Sequence, residues 1–390
     1  MSLAFLHCAQ PIRRRLPFQP RDYARRDRAI ELFEAQQYHD ALRETLIYLL
    51  QAEPAADLRT QPLCLVQGSA RVHLRQHDDA LDVRVVLAAL NADSQATAAL
   101  RYVLSRLSAT GQLHQPRLRD GLIQLEYREQ LALLHPLKLI EVLQRLPVEA
   151  DRNDSWLADA FNLEMRDREP IAPLSDDEFE RAEAVWTRHW SAVDELVMES
   201  RRRRSLRFLD AVGAIALNQA RYTLPMHGIV RARLYEGADT FNDREESPNK
   251  RDAALAKTVK EMRQIDRDTL RRCLGHAHYS INPLQEGTPA VLNATLGAAR
   301  MQVIGELRTG GRAMEAAVLL IADHCDLLAY YCWPAAIDAR LREALDLASD
   351  RPWREAAELL WNHAHGTVKL HGTHGEQEEA TADGEPRYVD

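Results

Sequence analysis

The residues best suited to chemistry are the late histidines. Seven of the fifteen fall at positions 276, 278, 324, 363, 365, 371 and 374. His276 with His278, and His363 with His365, are each two residues apart. On a strand that spacing puts both imidazoles on one face, whereas on a helix it turns them about 200° apart, too far to chelate one ion unaided. Cys273, Asp323, His324 and Cys325 are the residues that would complete a metal site. The competing reading is histidines set against the negative ends of helices. No CxxC or HExxH spacing supports a metal, so His276, His278, His363 and His365 stand as weak ligand candidates and no metal is assigned.

Other catalytic patterns are missing. There is no GxSxG, and Cys325 and Cys332 lie on an apolar helical stretch that suits packing. Gly310-Gly311 lacks the Lys-Ser/Thr of a phosphate loop, and without a GxGxxG no dinucleotide cofactor is expected. No catalytic residue is assigned, and a non-enzymatic role is the expectation. Arg201, Arg202, Arg204 and Arg207 form a dense basic run, a candidate anion grip. Successive helical residues point all around the axis, so a solvated face is the competing reading. Trp186 and Trp190, one helical turn apart, read as core.

The elements that must position these residues follow from hydrophobic periodicity. Residues 27–52 carry a three-and-four spacing (Leu32, Phe33, Leu42, Leu46, Leu49) around a Gln-Gln-Tyr interruption. Leu63–Val66 suits a strand. Val72 and Leu74, then Val83 and Val85, alternate with polar residues around a His-Asp-Asp turn and predict a hairpin. A helix is expected over 94–109 with Gly111 as its stop, and a second hairpin over 113–127 through Arg119-Asp120-Gly121. Another helix begins near Pro136. A long helix is expected from Asp176, with its stripe resuming at Leu206. Residues 222–251 look irregular, and three or four helices should fill 252–365. Glu315–Leu320 resembles Glu355–Leu360 forty residues on, a match cheap in an Ala/Leu-rich chain.

The 390 residues carry a net charge of -8, with 46% hydrophobic residues. That composition supports a core and excludes wholesale disorder. Five scattered cysteines make no disulfide framework. No apolar run reaches the length of a membrane span. The acidic balance argues against general nucleic-acid binding. A cytoplasmic protein is expected. Five parts follow: a basic N-terminal segment, 1–28, with seven arginines against two aspartates and read as solvated; an α+β domain, 29–150; a linker, 151–177; a helical domain, 178–370; and a disordered acidic tail, 371–390.

The order helix, three strands, helix, two strands, helix over 29–150 resembles type III secretion chaperones of the Tir-chaperone class and the related YbjN-like domains. It is carried by the helix Ile30–Leu50, the hairpin 69–88, the helix 91–109, the strand 121–134 and the helix 136–146. The resemblance covers about a third of the chain and rests on element order. It implies a non-catalytic chaperone or adaptor, linked to bacterial secretion, that binds a protein partner and forms a homodimer. The apolar set Val72, Leu74, Val83, Val85, Leu122 and Leu125 is then either sheet core or partner surface. The alternative function is a metal protein or enzyme built on the late histidines.

Overall fold

The computed structural model describes residues 5–55, 57–107 and 112–375. An α+β half is followed by a helical half, as the patterning predicts. Helices α1 (Tyr23–Glu34) and α2 (Tyr38–Leu50) form a hairpin, split where Gln36 adopts φ 63°. Strands β1 (Leu63–Gly68), β2 (Ala70–His77) and β3 (Ala80–Ala89) follow, then α3 (Ala96–Leu107) and the hairpin β4 (Gln115–Arg119) and β5 (Leu122–Gln130). Its turn residues Asp120 and Gly121 both take the positive φ that a two-residue hairpin needs, 49° and 75°. Helices α4 (Pro136–Arg152) and α5 (Ser155–Phe161) close this half.

The strands pair antiparallel, with Val72 opposite Val85 and Val85 opposite Leu125. That row lies under Leu42 and Leu46 of α2 and Leu139 and Leu143 of α4. Val72, Leu74, Val83, Val85 and Leu125 are fully buried, and Leu122 is half-buried at the start of β5. Five of the six are therefore sheet core, and Leu122 alone keeps partial exposure.

The helical half begins with α6 (Asp176–Arg203), started by a capping box between Ser175 and Glu178. After α7 (Leu206–Ala214), a π-helical turn (Ile215–Gln219) leads into α8 (Ala220–Thr223). Residues 222–251, expected to be irregular, contain all of α9 (Gly228–Asn242) and the start of α10 (Pro248–Arg263). Gly237 hides the pattern. A Cβ there would sit 2.1 Å from Thr258 Oγ1, so the glycine is what lets α9 and α10 approach. Then come α11 (Arg267–Arg272), α12 (Pro289–Leu296), α13 (Ala298–Thr309), α14 (Ala313–Tyr330), α15 (Ala335–Ala348) and α16 (Trp353–Gly375). The helices outnumber the three or four expected because Gly297, Gly310 and Pro334 break the apolar run at short intervals. Nearly all of α14 is buried, and α7, α13, α15 and α16 pack against it. Residues 371–375 belong to α16; the rest of the expected tail lies outside the described residues.

The linker and the solvated N-terminus take a different form from the one expected. Glu164 exchanges backbone hydrogen bonds with Ala89, and Arg168 bridges Ala70. β6 (Ala172–Pro173) pairs with β7 (Gly275–His276), and β8 (His278–Tyr279) adds a sixth strand to the sheet beside β1. Residues 5–20 cross the helical half. Leu6 and Cys8 enter its core, and the amides of Ile12 and Arg13 both donate to Thr223 O. These contacts use ordinary backbone groups, which no periodicity reveals.

Gly68, at the end of β1, has φ 64°, and a Cβ on it would lie 2.1 Å from Asp151 Oδ1. Gly68→Ala therefore combines a strained conformation with a clash against a buried carboxylate. Chemical denaturation is expected to show a loss of about 2 kcal/mol or more.

Candidate anion-binding site at the junction of the two halves

The junction is organised by buried charge. Asp151, at the end of α4, accepts hydrogen bonds from Ser69 N at 2.7 Å, Ser69 Oγ at 3.1 Å and Arg231 Nη1 of α9 at 2.6 Å. Arg231 also donates to Asp151 O. Asp154 caps α5 and accepts Gly228 N at 2.7 Å. Arg168 donates to Ser69 Oγ, Ala150 O and Asn153 O. Burial works against the Asp151 charge, but Arg231 outweighs it and holds the carboxyl below its ordinary range. Burial prevails at Asp154 and raises it. Burial also opposes the charge on Arg231, and the two carboxylates overcome it and keep it protonated.

Beside this network is a cavity of about 340 Å³. Residues 13, 14 and 16 line it, together with Gln67, Asp151 and Arg152 of the α+β half and Arg221, Arg231, Tyr235 and His276–Tyr279 of the helical half. Five arginines face it against one carboxylate, Asp151. Arg231 is paired with Asp151, and Arg152 with Glu149 at 3.7 Å. Arg13, Arg14 and Arg221 are in no ion pair among the described residues. Arg13 donates to Arg221 O at 3.0 Å. Burial lowers the Arg13 pKa; Arg221 and Arg231 add to the fall, and Tyr279 and Tyr235 oppose it.

Tyr235 stands among these arginines. Arg152 lies 4.6 Å and Arg221 5.3 Å from its ring centre, and Arg221 is also 4.3 Å from the ring centre of Tyr330. Burial pushes its phenol up, yet Arg221, Arg231, Arg152 and Arg13 together bring it below its ordinary value of 10.0. The π-helical turn sets this geometry. It directs Asn218 to Asp326 and Gln219 to His7 O, and it delivers Arg221 to the cavity wall. The site can therefore hold a multiply charged anion on guanidinium forks.

The candidates taken from sequence lie elsewhere, His276 and His278 excepted. His276 and His278 sit on extended backbone at the cavity edge, with His276 Nε2 3.2 Å from Glu178 Oε1 and His278 exposed. His365 bonds Trp361 O within α16, the same helix that carries His363. The structure does not bring the two histidine pairs into one cluster, and among the described residues no group of three or more His, Cys, Asp or Glu could hold a metal. In the basic run, Arg201 pairs with Asp252 and Arg202 with Glu199, while Arg204 ends α6 in the left-handed region. Arg201, Arg202, Arg204 and Arg207 do not converge on a described cavity. The arginines that do converge come from positions 13, 14, 152, 221 and 231, of which 13 and 14 belong to the arginine-rich segment 1–28 expected to be solvated.

The chain matches no family model, no curated protein and no solved structure.

Two outcomes test this electrostatic reading. Arg231→Met would strand Asp151 and Asp154 without their cation, and denaturation should show a loss of about 3–5 kcal/mol. Burial pushes Asp326 up to about 6 from 3.8, with Asp323 adding to the rise. Between those values the folded protein holds a proton that the unfolded chain has released, so this group lowers stability as pH rises from about 4 to about 6. Asp326→Asn should gain about 1–3 kcal/mol over the parent at pH 7 and nothing at pH 3, read from denaturation at both pH values.

Proposed function

We propose that the chain is a binding protein for a small, multiply charged anion, seated between its two halves. One observation carries the reading: Arg13, Arg14 and Arg221 converge on a 340 Å³ cavity with no ion pair among the described residues. Surface arginines find carboxylates easily in an acidic protein. Three that face one cavity outside any ion pair, with Asp326 reaching Arg221 only as a longer-range attraction, make a field that an anion neutralises. Residues 13, 14 and 16, the α+β half and the helical half all line the cavity, so an occupant sits where all three meet.

A second reading keeps the protein-binding role that the chaperone resemblance implies, a cytoplasmic adaptor included. It uses the open face of the sheet. Arg75, Arg84 and Arg117 are exposed there and in no ion pair among the described residues, a pattern that suits an acidic segment of a partner.

Calorimetric titration with pyrophosphate tests the first reading. The parent protein should bind and gain thermal stability as ligand is added, by about 2.7 kcal/mol at a hundred times Kd. Arg221→Ala and Arg14→Ala should each weaken binding about tenfold or more. A parent protein that shows neither heat nor a thermal shift at millimolar pyrophosphate refutes the reading.

A further inference from the structure

We infer that the natural ligand is a small organic phosphate monoester, with its phosphoryl group on the arginines and its organic body on an apolar wall. The inference rests on the anion-binding reading and specifies the chemistry of that site.

Charge fixes the head group. A phosphate monoester carries about -1.5 to -2 at pH 7 and offers three terminal oxygens. The cavity sets against it the unpaired guanidinium groups of Arg13, Arg14 and Arg221. A single carboxylate would leave most of that charge uncompensated. Planar guanidinium forks match phosphate oxygens two at a time, and the hydroxyls of Tyr235 and Tyr279 on the same wall are further donors. Arg152 and Arg221 lie against the Tyr235 ring, which holds that hydroxyl among the cations.

Volume and lining fix the body. A bare phosphate has five heavy atoms, whereas a 340 Å³ cavity falls in the range of about 300–1,000 Å³ that holds organic ligands. The remaining lining includes Leu16, Val148, Met226, Pro283 and Leu284, all partly exposed. A site for inorganic phosphate has no use for that surface. A compact apolar or planar group attached through the ester oxygen would cover it.

Titration calorimetry on the full chain at pH 7.5 separates the possibilities, using inorganic phosphate, phenyl phosphate and benzoate as probes. Phenyl phosphate should bind about tenfold or more tighter than inorganic phosphate, and benzoate more weakly than either. Leu284→Ser and Met226→Gln should each cut phenyl phosphate affinity several-fold and leave inorganic phosphate unchanged, with unaltered melting temperatures confirming folded protein. Arg221→Ala should weaken both phosphates. Equal affinity for phenyl and inorganic phosphate overturns the organic body while sparing the anion site. Benzoate binding as tightly as phenyl phosphate overturns the phosphoryl head. A parent protein that binds none of the three overturns the anion reading and this inference together.

Discussion

A carboxylate removed from water needs a cation and hydrogen-bond donors within reach, because an unpaired buried charge costs several kcal/mol. Asp151 obtains them from both halves of the chain: Ser69 supplies donors from the β1–β2 turn and Arg231 supplies the cation from α9. Much of the surrounding architecture follows from that requirement. Gly68 is glycine because the carboxylate occupies the space of its Cβ. Arg168 is drawn in to share Ser69 Oγ and to satisfy the carbonyls at the end of α4. Asp154 holds the first amide of α9, so the helix bearing Arg231 starts from a fixed point. With these contacts made, β8 lies along β1, where Gln67 and Ile281 exchange hydrogen bonds through side-chain amide and backbone.

The same arrangement explains why a cationic cavity persists in an acidic protein. Arg231 is neutralised by its carboxylates, but Arg13 and Arg221 face the cavity without ion pairs among the described residues and repel one another. A sequence selected for stability alone would set both in close ion pairs, whereas Asp326 acts on Arg221 only at longer range. Local unfavourable charge sustained by favourable contacts elsewhere is a usual property of ligand sites. Here the compensation comes from backbone bonds to Thr223 and from the aromatic faces of Tyr235 and Tyr330.

The legible part of the molecule is the part that is local. The strands of Val72 and Leu74 and of Val83 and Val85, the Asp120-Gly121 turn, the helix opened by Pro136 and the long helix capped by Ser175 all follow from period, cap or turn chemistry within a few residues. The junction was illegible because its partners are remote. Gln67 and Ile281 are 214 positions apart, and Asp151 and Arg231 are 80 apart. Each is an ordinary polar residue until the other is placed beside it. The histidines drew attention by residue type, but type without convergence makes no site. The arginines of the cavity escaped notice because arginine makes up nearly all the basic residues of this chain.

The strap of residues 5–20 gives the molecule an order of assembly. His7 Nδ1 reaches Asp350, 343 residues later, and Leu6 O accepts from Asp350 N. At synthesis rates of about 5–20 residues per second, the strap waits roughly 20–70 s before its last partners exist. During that interval β1 is an open sheet edge, because β8 has not yet been made. The α+β half therefore emerges as an incomplete sheet with a loose leading segment. The cavity, which draws on residues 13, 14 and 16 and on residues up to 284, is among the later features to form. A nascent chain halted before residue 275 would hold its sheet core but neither the strand that closes the edge nor the complete site.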